Sequence, residues 1–185
     1  ALPRQTMRRP EIYIATLLLF AAPAFADRSA FHAGDLITDF GRIAEVETNY
    51  PIPGDARFRI SFDVSKQAEA GELNRNFESA ARFLNMHAAA GIDPKQIEIT
   101  IVVHGGASKD LLSADAYAVR FDANSANVAL IETLLDHNVQ FVLCGQSAAY
   151  HDVANADLVP GVRTALSAMT AHALLQQQGF TLNPF

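Results

Sequence analysis

Two short runs of β-favouring residues constrain this chain more than any other feature. Ile97-Glu98-Ile99-Thr100-Ile101-Val102-Val103 is almost wholly β-branched, and Phe141-Val142-Leu143-Cys144 is a continuous apolar stretch. Such runs, bounded by turn residues, fit strands of a parallel sheet covered on both faces. Helical stripes separate them. Leu73, Phe77, Ala80, Ala81, Leu84, His87 and Ala88 recur every three or four residues, with Arg75, Glu78, Arg82 and Asn85 on the opposite side and Gly91 as the closing residue. Val128, Ile131, Leu134 and Leu135 mark a second helix, ended by Asn138, which tolerates the left-handed conformation. Upstream, Arg57-Phe58-Arg59-Ile60-Ser61-Phe62-Asp63-Val64 alternates polar and apolar residues as a strand does. Downstream come a short helix from about Ser147, a brief strand over 162–166, a last helix over 168–178 ended by Gly179, and a final strand at Phe180-Thr181-Leu182. Residues 108–124 hold helical fragments around Leu111 and Tyr117 but no sustained stripe. Alternating strands and helices imply one α/β domain with a parallel sheet and right-handed crossovers.

Residues 1–26 read as an address. Met7 starts it, Arg8 and Arg9 supply positive charge, residues 12–22 form a short apolar run, and Ala24-Phe25-Ala26 has the small-x-small cleavage pattern. That is a secretory signal peptide cut after Ala26, with residues 1–6 upstream of it, and the expected destination is the periplasm. The run falls short of the roughly 20 apolar residues a membrane span needs, so no membrane association is expected after cleavage. Cleavage removes three arginines and one glutamate, takes the net charge from −6 to −8, and leaves 159 residues, enough for one domain. An acidic domain without a basic cluster is not built for nucleic acid or anionic lipid. Residues 27–55, broken by Gly34, Gly41, Pro51, Pro53 and Gly54, read as an extended arm with a turn or short strand near 43–46, and residues 56–185 as the domain.

Cys144 is the only cysteine, so no internal disulfide can form. It stands at the carboxyl end of a strand, the edge where open α/β sheets collect ligands. Gly145-Gln146-Ser147 follows as a turn into a helix, with Ser147 as its expected cap. A helix N-terminus beside a thiol stabilises the thiolate, while a thiol packed in the core behaves as a small hydrophobe; both readings of Cys144 stand. His104 also ends a strand, and if the two strands flank a common neighbour, imidazole and thiol lie about 10 Å apart. A histidine bonded to local backbone is the alternative.

His104-Gly105-Gly106-Ala107 resembles an esterase oxyanion loop, and Gly145-Gln146-Ser147-Ala148-Ala149 resembles a nucleophile elbow, with Asp157 and His172 following in triad order. Against a serine hydrolase stand the short chain and the position of His172 inside a helix. His151-Asp152 could join Cys144 at a metal, but no ligand-spaced cluster supports one, so neither metal nor cofactor is expected. His87 reads as a satisfied core histidine, His32 and His137 as superficial, Asp63 at the end of the first strand as a cap or turn former or else a site residue, and Met169 with residues 171–175 as core.

In order and spacing, Phe62-Asp63-Val64, Val102-Val103-His104-Gly105, residues 127–135, Phe141 through Ser147, Asp157-Leu158-Val159-Pro160-Gly161-Val162 and Gln176-Gln177-Gln178-Gly179-Phe180 together resemble the DsrE/DsrF-like family in its exported single-domain form. The resemblance implies a three-layer α/β/α sandwich on a mainly parallel, about five-stranded sheet, assembled as trimers or hexamers. It also implies that Cys144 accepts sulfane sulfur as a persulfide from a small thiol or protein partner, with His104, Gly105, Gly145, Gln146 and Ser147 around it. Where relay members continue with an Arg-Gly pair, this chain has Tyr150-His151-Asp152 and lacks that cation. Export also separates it from cytoplasmic tRNA. Two functions are therefore expected in competition: a periplasmic sulfur carrier of sulfurtransferase-like chemistry, or a non-catalytic small-ligand or partner-binding module whose pocket the thiol merely lines.

Overall fold

The computed structural model describes residues 29–183; the signal-peptide assignment lies outside the described residues. Five strands, β1 (Phe58–Val64), β2 (Ile97–Val103), β3 (Gln140–Cys144), β4 (Arg163–Ala165) and β5 (Thr181–Asn183), form one sheet in the order β4-β3-β2-β1-β5. Every neighbouring pair is parallel. The helices are α1 (Arg75–Ala89), α2 (Ala114–Phe121), α3 (Asn127–Asp136), α4 (Gly145–Tyr150) and α5 (Ala168–Gln177).

Strand side chains alternate between faces, and this alternation sorts the core into two layers. Phe62, Val64, Ile99, Ile101, Val103, Phe141 and Leu143 pack with Phe77, Ala80, Leu84, Leu130 and Leu134 of α1 and α3. Phe77 meets Phe141 edge-on, with ring centroids 5.3 Å apart. On the other face Val102, Val142, Cys144 and Ala165 pack under Ala168, Ala171 and Leu175 of α5. The result is an α/β/α sandwich. Among the described residues no helix is long and apolar enough to cross a membrane.

Boundaries follow local chemistry. Asn74 caps α1 by accepting the Asn76 N–H at 3.0 Å, and Gly91 beyond its end takes φ +84°. Asn138, at φ +61°, turns the chain from α3 into β3. The ambiguous stretch after β2 resolves into a 3-10 turn, Gly105–Leu111, followed by α2, which Ser113 caps. Only Tyr117 of α2 is buried, so this helix writes no stripe into the sequence.

Three expectations need correction. Asn85, placed on the polar side of α1, is 1% exposed. The N-terminal segment lies over it: Asn85 Nδ2 donates to the carbonyls of Ile37, Phe40 and Gly41 at 2.9, 3.0 and 3.1 Å, and its Oδ1 accepts the Ile37 N–H at 2.9 Å. Ile37 and Ile43 are buried there, and Ile43 pairs with His32 in an isolated antiparallel bridge. Met169 and Leu174, read as core, are exposed, because α5 lies on the sheet through its Ala168, Ala171 and Leu175 side.

Candidate functional site

A parallel sheet brings the carboxyl ends of its strands to one edge, and this edge carries the site. β2 and β3 are direct neighbours with Val103 opposite Leu143, so the next residues, His104 and Cys144, stand across from each other. Their backbones are therefore one strand spacing apart, about 4.8 Å, and not the two spacings that an intervening strand would impose. Both belong to the alternation that faces α5, as Val102 and Val142 do. One hydrogen bond locks the two segments together: the Gly105 N–H donates to Ser147 Oγ at 2.9 Å. Gly105 itself takes φ +53°, where a Cβ would also approach the Ser65 carbonyl to 3.2 Å.

The thiol is buried, 6% exposed, against Val102, Ala168 and Ala171. Burial pushes its pKa up, yet the Ser147 hydroxyl and the backbone N–H groups of Ser147, Ala168 and Gln146 outweigh it, holding Cys144 below the usual 9.0. Those N–H groups belong to the first turns of α4 and α5, so two helix N-termini converge on one sulfur. Ser147 does not cap α4 as expected. The helix starts at Gly145, directly after Cys144, which puts Ser147 inside the first turn, facing Gly105 and the thiol. Gln146 is exposed and its Nε2 reaches the Leu166 carbonyl at 3.4 Å. Gly145 is required by space: a Cβ there would stand 2.7 Å from the Ala165 carbonyl and 3.3 Å from that of Leu166.

Next to the thiol lies a cluster that reading the sequence missed. Asp63, near the end of β1, receives His172 Nε2 of α5 at 2.8 Å and His104 Nε2 at 3.1 Å. Burial raises the Asp63 pKa, but the hydrogen bonds from His172 and His104, with their charge, bring it below its ordinary 3.8. Of the two roles the sequence leaves to Asp63, a site residue or a cap or turn former, the structure shows it bonded to both imidazoles. The signal was present in spacing: Asp63 is level with Val102, two residues before His104, and Ala168, Ala171, His172 and Leu175 form an i, i+3, i+4, i+7 stripe. Under α5, His172 Nδ1 and the hydroxyls of Ser61 and Thr100 are buried without hydrogen-bond partners.

The family model of the DsrE/DsrF-like family matches residues 60–184. The chain belongs to this family. Two solved structures are similar to it: the protein of unknown function MTH1491 from Methanobacterium thermoautotrophicum and the ychN protein from E. coli. The first is 16% identical with a TM-score of 0.50, over 69% of this chain and 99% of that one. The second is 16% identical with a TM-score of 0.48, over 69% and 100%. At such identity the likeness to MTH1491 is one of fold. No curated protein sequence matches.

In this DsrE/DsrF-like chain the serine-hydrolase arrangement is not assembled. His172 Nε2 is bonded to Asp63 and its Nδ1 is buried without a partner, so neither ring nitrogen meets Ser147 or Asp157, and Ser147 Oγ accepts the Gly105 N–H. His151 and Asp152 offer their carbonyls to the Arg120 guanidinium on α2, at 2.5 and 3.0 Å. Among the described residues no group of three or more His, Cys, Asp or Glu side chains is placed to hold a metal ion.

Proposed function

We propose that this DsrE/DsrF-like protein is an exported sulfur carrier, with Cys144 accepting sulfane sulfur from a small thiol or a protein partner and passing it on as a persulfide. The observation that carries this reading is the thiol itself, held below its usual pKa by the Ser147 hydroxyl and by N–H groups of two helices. A thiolate is the nucleophilic form, and the same donors suit the anionic persulfide it becomes. His104, Gly105, Gly145, Gln146 and Ser147 form the pocket in this proposal. The charged, apolar and small-x-small segments within residues 8–26 support export to the periplasm. Residues 27–55 then act as an arm on a single domain spanning 56–185. Tyr150, Leu166 and Met169, large apolar side chains exposed on elements that flank the thiol, support burial in a trimer or hexamer.

The 6% exposure of Cys144 favours a second reading, a binding module in which the thiol only lines a pocket for a small ligand or partner. Sulfide released by reductant after polysulfide treatment separates the two. The carrier releases about one equivalent and Cys144→Ser none; equal release from both proteins removes the carrier reading.

A further inference from the structure

Asp63, His104 and His172 come from β1, the end of β2 and α5, yet both imidazoles place Nε2 on one carboxylate. An ionised carboxylate only accepts, so a neutral ring bonded to it donates its Nε2–H and keeps Nδ1 to take up or release a proton. For His172 that nitrogen is buried. The His104 side chain, 32% exposed, stands at the open edge of the sheet, one strand away from Cys144. The Gly105 to Ser147 bond fixes the segment after His104 against the first turn after Cys144. An imidazole on β2 therefore has a carboxylate from β1 on one nitrogen and a thiol at the end of β3, the adjacent strand on its other side, the order of parts in which a base activates a nucleophile.

We propose that His104 is the proton acceptor and donor for Cys144 and that Asp63 is its positioning residue. This rests on the sulfur-carrier reading and adds the path of the proton. Neutral His104 takes the thiol proton of Cys144. The thiolate attacks the outer sulfur of a donor R–S–SH; a new S–S bond forms at Cys144 as the donor's S–S bond breaks, and the outer sulfur keeps its hydrogen. The electron pair of the broken bond leaves on R–S⁻, which takes the proton back from His104 as R–SH. Thiol and persulfide exchange one sulfur, and no external oxidant or reductant enters.

Asp63 bonds His104 directly and carries His172 on the same carboxylate, and Cys144 ends the adjacent strand; in the chain, Lys66 follows β1, Lys109 lies in the 3-10 turn after β2 and Tyr150 ends α4. Farther along the strands, Arg59 pairs with Glu98 at 3.0 Å and Arg163 bonds to Gln140. The test follows the rates of Cys144 alkylation by iodoacetamide and of persulfide formation from polysulfide, between about pH 5 and pH 10, on the folded mature protein. The proteins compared are wild type, His104→Gln and Asp63→Asn. His104→Gln is expected to slow both reactions about 10-fold at pH 7 and to rejoin wild type near pH 10, where the thiol ionises without a base. Asp63→Asn, which leaves the ring in the wrong tautomer, is expected to show the same pH-dependent loss. A wild-type profile in His104→Gln, or a loss equal at every pH, overturns the proposal. If alkylation follows the expected profile while wild type accepts no sulfur, the carrier reading fails and the proton exchange between His104 and Cys144 stands.

Discussion

Gly145→Ala separates helix propensity from the geometry of the site. Gly145 is the first residue of α4 and is not among the glycines with positive φ, so the backbone there accepts alanine. In an open helix the change would stabilise by up to about 1 kcal/mol. Here the added methyl would stand 2.7 Å from the Ala165 carbonyl, where ordinary contact begins at 3.4 Å, so the backbone between β4 and α5 must retreat by about 0.7 Å. Overpacking against backbone costs about 1–3 kcal/mol, which offsets or outweighs the propensity gain and leaves a net loss of up to about 2 kcal/mol. The displaced segment leads into Ala168, whose N–H helps hold the thiolate, so the Cys144 pKa should rise as stability falls. Urea unfolding gives the first quantity, and the pH dependence of iodoacetamide alkylation gives the second. A variant more stable than wild type, with an unchanged alkylation profile, would refute the packing account of both.

Removing the Ser147 hydroxyl by Ser147→Ala takes one donor from the thiolate and the acceptor from the Gly105 N–H. The Cys144 pKa should rise, and alkylation at pH 7 should slow about 3- to 10-fold. Asn85→Ala strands the polar backbone groups of Ile37, Phe40 and Gly41, and should cost about 2–4 kcal/mol in urea unfolding. Limited proteolysis should then cut within residues 33–43 first. Asp63 has a folded pKa below its ordinary 3.8, so its contribution to stability is present above about pH 4 and is lost as pH falls through the folded value. Asp63→Asn should therefore lower the urea midpoint at pH 7, and the gap to wild type should narrow as the pH falls below about 4.

Much of the fold was legible in the sequence because strand and helix periods differ and each wrote itself plainly. The β-branched run 97–103 became β2 residue for residue, the stripe from Leu73 to Ala88 became α1 except for Leu73, which precedes the Asn74 cap, and Asn138 took the left-handed turn assigned to it. What periodicity leaves out is strand order. No local pattern says that β3 adds beside β2, which halves the expected backbone separation of His104 and Cys144. Asp63 and His172 lie 109 positions apart, and only the placement of α5 across the sheet joins them. Asn85 looked like a solvent-facing polar residue because its partners lie in an arm with no periodic pattern. Ser147 was one residue type with two uses: as a cap it would have stood before α4, but the helix begins at once after Cys144, and the hydroxyl turns to Gly105.

The measurement that tests the central claim most directly is the intact mass of the mature protein after incubation with polysulfide, before and after reductant, beside Cys144→Ser. The account predicts a gain of one sulfur mass on wild type alone, removed by reductant. An unmodified wild type whose thiol also resists alkylation until it is unfolded would contradict it and make Cys144 a core residue.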